Sequence, residues 1–291
     1  MTFELFFEQL LNGVQLGVML FLLAAGLTLV LGIMNMVNLA HGSLYMIGAY
    51  FAITVTQWSG SYLLGVLAGL AGTLVVGMAV EVIALRTLYE RDHLDHVLAT
   101  FGLILFFNEL VAILWGRFAL FASLPSYLQG HLALFGDVRY PLYRAVVIVV
   151  GLLVAVLLWY MVTRTRLGML IRAGASNRTM VAALGINIRL LYTIVFGFGA
   201  ALAGLAGLMA GQIYTVQPGM GELILIQVFV VIVIGGIVDT MGRAFLKPLL
   251  STLLSTYAAD TAGPALASML IYLLMALVLA LRPAGLFPAR G

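Results

Sequence analysis

Long uninterrupted apolar runs dominate the chain. They lie at about 9–31, 62–85, 97–116, 141–163, 190–211 and 263–282. Each approaches the roughly 20 residues that a helix needs to cross a bilayer. Their apolar residues occupy every face rather than one stripe, as in a helix surrounded by lipid or by other helices. Three shorter runs, 42–57, 222–238 and 246–259, are too short or too Gly-interrupted to count as full spans on pattern alone. Together the runs predict an all-α, polytopic transmembrane helix bundle of about 8–10 spans, some of them broken or re-entrant. A β-barrel is disfavoured, because its strands would alternate polar and apolar positions. Segments 26–51 and 229–254 resemble each other weakly: an apolar run, a Gly-containing break, then a second short apolar run. That points to a possible inverted repeat. The whole chain, 1–291, reads as one transmembrane domain.

Composition narrows the class further. Hydrophobic residues make up 64% and charged residues 9%, against about 45–50% and about 25% in soluble domains. Mean hydropathy is +1.16. So few charges cannot coat a soluble domain of this size, which argues against a soluble enzyme or a disordered chain. The net charge of +3 is better read as the basic bias of cytoplasmic loops than as a nucleic-acid footprint. No cysteine is present, so disulfides and thiolate chemistry are absent. The first charges, Glu4 and Glu8, are unlike the basic opening of a cleavable signal peptide.

The basic residues set an orientation. Arg164, Arg166, Arg172, Arg178 and Arg189 crowd one loop at 164–189. Arg86 and Arg91, Arg243 and Lys247, and Arg282 and Arg290 complete a set of eleven among fourteen. If all nine runs cross, these share one side, the cytoplasm. Arg117, Arg139 and Arg144 fall outside, with the N-terminus outside and the C-terminus inside.

Polar residues at membrane depth are the candidate chemistry. Between Gly32 and Gly42, Asn35, Asn38 and His41 recur every third residue with no charged loop around them. On a helix they would share roughly one face. Either a broken helix lines a translocation path here, or the amides and imidazole satisfy backbone groups freed at a tight turn. Glu109, beside Asn108 within 97–116, is an intramembrane acid and a pathway candidate. Glu81 lies five residues before Arg86 and within reach of the cytoplasmic interface. Asp92, His93, Asp95 and His96 form one polar group without the second cluster that would close a metal site, so neither a metal nor a cofactor is expected. No G-x-x-x-x-G-K-[ST] loop occurs, and the sole lysine is Lys247, so any ATP chemistry must come from elsewhere. No catalytic constellation is apparent, and an enzyme is not expected.

The loop 164–189 carries a short helix of its own. Ser176 or Asn177 suits the N-cap, Arg178 to Leu184 the body, and Gly185 the C′ position. Met180, Val181 and Leu184 would share an apolar face. About two turns are not stable alone in water. The helix must dock either on the protein's own membrane base or on a separate cytoplasmic subunit.

These residues carry a resemblance. Gly168 to Ile186, with Arg172-Ala173 and Ala182-Ala183-Leu184-Gly185-Ile186, resembles the coupling-loop motif of ABC-importer permeases. With it go Asn38-Leu39-Ala40-His41-Gly42, Glu81 with Leu85-Arg86, Leu98-Ala99-Thr100-Phe101-Gly102-Leu103, and Arg282-Pro283-Ala284-Gly285-Leu286-Phe287. In this order, from about residue 9 to 287, they resemble the permease subunit of high-affinity branched-chain amino acid importers. The resemblance implies a second related permease subunit, two cytoplasmic ATPase subunits, a periplasmic substrate-binding protein and a place in the bacterial inner membrane. It implies that Arg172, Ala173, Gly174, Ala175, Ser176, Asn177, Met180, Val181, Leu184, Gly185 and Ile186 contact an ATPase. It also implies that Asn38, His41 and Gly42 lie near the pathway. Val238, Asp239 and Arg243 depart from the family's small-residue pattern after Gly235-Gly236, although Gly242 is kept. The rival reading is a self-sufficient secondary transporter or channel with Glu109 or His41 as a proton relay.

Overall fold

The computed structural model describes residues 3–133 and 139–235, with positions 273, 276 and 277. Nine helices are described: α1 (Phe3–Met34), α2 (His41–Ser59), α3 (Tyr62–Ile83), α4 (His93–Trp115), α5 (Leu142–Arg164), α6 (Arg166–Ser176), α7 (Arg178–Ala183), α8 (Ile188–Ala210) and α9 (Met220–Gly235). The described strands are β1 (His131–Ala133) and β2 (Arg139–Pro141), antiparallel with Leu132 opposite Tyr140. Among the described residues, five helices are long and apolar enough to cross a membrane: Phe7–Met34 within α1, and all of α3, α4, α5 and α8. They match five of the six long apolar runs. The run 263–282 apart from positions 273, 276 and 277, the short run 246–259, most of the second half of the weak repeat, and Val238, Asp239, Gly242 and Arg243 lie outside the described residues. The protein is an all-α polytopic membrane bundle.

Local chemistry sets the helix ends. The Ser61, Thr165 and Asn187 side chains accept the Leu64, Gly168 and Leu190 amides at the starts of α3, α6 and α8, as N-caps do. Gly60, at φ +69°, closes α2 in the left-handed conformation that glycine adopts without strain.

Contacts divide the chain into two compact units. One comprises residues 1–24, 124–154 and 226–291; the other comprises 25–123 and 155–225. In the first, Arg144 donates to Asn12 Oδ1 at 2.5 Å and Val18 lies against Gly151. In the second, α2, α3 and α8 form the core through backbone-to-backbone contact. Gly48 faces Gly204, Gly207 faces the Tyr45 carbonyl, and Gly77 faces Ala200. Lipid tails are as apolar as leucine, so close packing of small residues carries helix association in a bilayer. α8 is therefore small-residued and buried over most of its length. α3 and α4 instead bury narrow stripes and expose Leu63, Leu67, Val75, Phe101, Leu105 and Ile113. Apolar side chains facing outward are what lipid requires.

Candidate functional site

The polar stretch between α1 and α2 is a turn, not a helical face. α1 continues through Gly32 to Met34, and the break comes at Asn35, whose φ of 52° is left-handed. Asparagine tolerates this conformation better than most residues. Residues 35–40 are non-helical, so Asn35, Asn38 and His41 do not align on one helix face. Asn35 is exposed, while Asn38 and His41 are fully buried. Asn38 Oδ1 accepts the Ala40 amide at 3.0 Å, and the Asn38 carbonyl accepts the His41 amide at 3.4 Å. The Asn38 side chain thus holds the start of α2. Its Nδ2 is buried without a partner among the described residues. The His41 ring lies beside Gly26, which packs on the Gly199 carbonyl. Gly42 and Gly221 touch backbone to backbone, so the first turns of α2 and α9 meet. Glu222, in that turn of α9, accepts from Asn108 Nδ2 at 2.5 Å.

Glu109 lies apart from this turn chemistry. Its carboxylate pairs with Arg117 Nη2 at 2.8 Å, and both side chains are mostly exposed.

The basic loop folds as α6 and α7. Gly174 of α6 sits against Ile33 of α1 and Leu191 of α8, and Arg172 donates to the Val162 carbonyl. Asn177 Oδ1 accepts the Met180 amide at 2.9 Å and so caps α7, while Ser176 ends α6. Gly185 takes φ +83°, and its amide returns to Ala182. α7 proper runs from Arg178 to Ala183, one residue shorter than its pattern predicts. The expected apolar face is divided. Val181 is only 4% exposed and packs inward, whereas Met180 is 62% and Leu184 74% exposed. Positions 180 and 181 are about 100° apart on a helix, so they cannot both face one surface.

Glu81 is the centre of a hydrogen-bonded cluster. It is fully buried in the last turn of α3. Arg86 reaches it through Nη2 at 3.2 Å and Nε at 3.4 Å. Tyr89 donates to Oε1, and Thr193 of α8 donates to Oε2 at 2.5 Å. Arg86 Nη2 also donates to Thr193 Oγ1 at 2.9 Å. Burial, then the bond to Glu81, hold the Tyr89 phenol well above its ordinary value. Its own hydrogen bond to Glu81 raises the Arg86 guanidinium. Nearby, His96 Nε2 lies 2.7 Å from the Leu88 carbonyl.

Comparison with known proteins decides the class. The family model described as "Branched-chain amino acid transport system / permease component" matches residues 9–279. The chain belongs to this permease family. It is 33% identical to the high-affinity branched-chain amino acid transport system permease protein BraD of Pseudomonas aeruginosa, over 97% of this chain and 95% of that one. It is 30% identical to LivH of Escherichia coli K12, over 82% of each. It is 26% identical to a probable LivH of Methanocaldococcus jannaschii, over 84% of this chain and 80% of that one. No solved structure matches it. The permease is thus an integral inner-membrane subunit of an ABC transport system, working with partner proteins. A self-sufficient transporter is not favoured.

In this permease the structure brings Asn38, His41 and Gly42 together, and it joins the residues from Arg172 to Ile186 in one helical loop. It leaves Asn35 and Glu109 exposed. Sequence reading missed Asn108 with Glu222, 114 residues apart, and Thr193 with Glu81, 112 apart. No local spacing announces such pairs. The Glu81–Arg86 spacing was the one visible signal.

Proposed function

We propose that this permease, as a single membrane domain, forms part of the translocation pathway of an importer for branched-chain amino acids or related small amino acids and amides. The names of its relatives supply the substrate class. Its proposed partners are a second related permease, two cytoplasmic ATPase subunits and a periplasmic substrate-binding protein. The loop 164–189 faces the cytoplasm, with the N-terminus outside and the C-terminus inside. Two features support this orientation: the positive-inside bias, and the bond from Thr193 to Glu81, which holds the two basic loops, 84–92 and 164–189, at the same end of their unit.

The observation that carries the reading is α7. A helix of six residues, capped at both ends, buries Val181 and leaves Met180 and Leu184 uncovered. In a subunit without a Walker-type loop, that surface is where an ATPase would engage. ATP-driven closure of the ATPases would move α6 and α7, and with them α8. Asn38, His41 and Gly42 would lie beside the pathway, next to the Gly42–Gly221 contact. The turn would then change shape as the bundle reorients.

Leu184→Asp tests the assignment. In proteoliposomes containing the whole complex, uptake should fall while ATP hydrolysis persists or loses its stimulation by loaded binding protein. Normal assembly with normal uptake would show that α7 does not couple. A panel of branched-chain, aromatic and amide substrates tests the cargo.

A further inference from the structure

We infer that Glu81, Arg86, Tyr89 and Thr193 form a polar strut that makes α3 follow α8 when the α6–α7 loop is displaced. The inference rests on the coupling reading above and assigns its next step inside the membrane domain.

The α3–α8 seam is smooth. Gly77 meets Ala200, Gly197 meets Met78, and Thr73 meets Gly204. Contacts between small residues bring backbones close but offer no directional bond along the seam. At one end the character changes. Glu81 is buried, and a buried charge is tolerated only when it is paired and hydrogen-bonded. Both of its oxygens are engaged, from two directions. Arg86 and Tyr89 approach from the segment after α3, and Thr193 approaches from α8. The Thr193 hydroxyl accepts from Arg86 and donates to Glu81, so it bridges the ion pair alongside their direct contact. The preceding residue, Tyr192, adds an edge-to-face contact with Tyr89 at 5.1 Å. α8 therefore grips the 81–89 segment through two successive side chains. Both lie near the start of α8, which follows α7 after Leu184–Asn187. A shift of α7 reaches Thr193 within about two turns of chain. Separating Thr193 from Glu81 would take one hydrogen bond from a buried carboxylate and one from Arg86, so moving α3 with α8 is the less costly response.

Glu81 and Thr193 are positioning residues in this scheme, not binding ones. Thr193→Val keeps shape and removes the hydroxyl's contacts with Arg86, Glu81 and the Arg189 carbonyl; Thr193→Ser restores the hydroxyl. Both are assembled with their partners in proteoliposomes, and uptake per ATP hydrolysed is measured. Thr193→Val should lower that ratio by about fivefold or more, the size of an ordinary coupling between sites, with assembly preserved. Thr193→Ser should recover it. An unchanged ratio in Thr193→Val overturns the strut. So does a lowered ratio that serine fails to rescue. If Thr193→Val does not assemble, Tyr89→Phe decides, because it removes one hydroxyl only: a lowered ratio supports the strut and an unchanged one overturns it. Leu184→Asp runs alongside. If it behaves as wild type, the coupling reading falls. If it uncouples while Thr193→Val does not, only the strut falls.

Discussion

Replacing Gly48 with alanine adds one methyl group where the core of α2, α3 and α8 has no room for it. An added Cβ would fall against the Cα of Gly204 and lie 2.6 Å from its carbonyl oxygen. Ordinary contact begins at 3.4 Å, so relieving the oxygen alone parts the helices by about 0.8 Å, and the nearer Cα requires more. The obstacle is backbone and cannot rotate aside. Alanine gains about 1 kcal/mol of helix propensity over glycine, and overpacking a filled core costs about 1–3 kcal/mol, sometimes more. The same substitution at Gly102 in α4 meets nothing within 4 Å and keeps only the gain. Trp115 reports the outcome. Its ring packs on Tyr50 at 5.1 Å, and its Nε1 donates to Thr54 at 2.6 Å, both on α2. Thermal unfolding in detergent, followed by tryptophan fluorescence, should show Gly48→Ala melting several degrees below wild type, at about 2–4 °C per kcal/mol. Gly102→Ala should melt at or above wild type. Equal melting of the two variants would refute the close-approach argument.

Other expectations follow from the loops. Asn177→Ala should cost about 1 kcal/mol by loss of the α7 cap, and Gly185→Val more through its left-handed φ; limited proteolysis of the 164–189 loop should register both. Glu109→Gln removes an exposed pair, so uptake and its pH profile should match wild type. A collapse of uptake would instead assign Glu109 to the pathway. Tyr140, buried in β2, has its phenol pushed up to about 12 by desolvation. A raised value favours the neutral phenol in the folded state. That contribution is complete below pH 10 and is lost as pH rises from about 10 towards about 12. Tyr140→Phe should flatten alkaline unfolding in that window, as followed by melting temperature.

What the sequence made legible was local. Spans declared themselves because about 20 apolar residues in a row have few other fates. The ends of α7 were readable because Asn177 bonds three residues ahead and Gly185 closes three residues back. The division of its face was not, because Val181 faces inward only by virtue of what lies beneath it. Gly32 and Gly42 bracket the break after α1, yet Asn35 supplies the left-handed residue. A glycine exposed on a helix has no reason to break it. Glu81 illustrates the limit best. Its distance to Arg86 suggested an interfacial pair, but its burial depends on Thr193 and Tyr192 arriving on α8.

α7 has one more consequence. Fixing a residue's backbone costs about 1–2 kcal/mol in conformational entropy. Val181, Asn177 and Gly185 meet that cost inside the subunit, before any partner arrives. Whatever docks on Met180 and Leu184 therefore meets an ordered surface, and its binding energy is not consumed in folding a peptide. A free peptide of residues 177–186 would carry the same side chains but not the order, and would compete poorly. If α7 couples the subunit to a partner as proposed, a stiff point of contact transmits displacement that a disordered one would absorb.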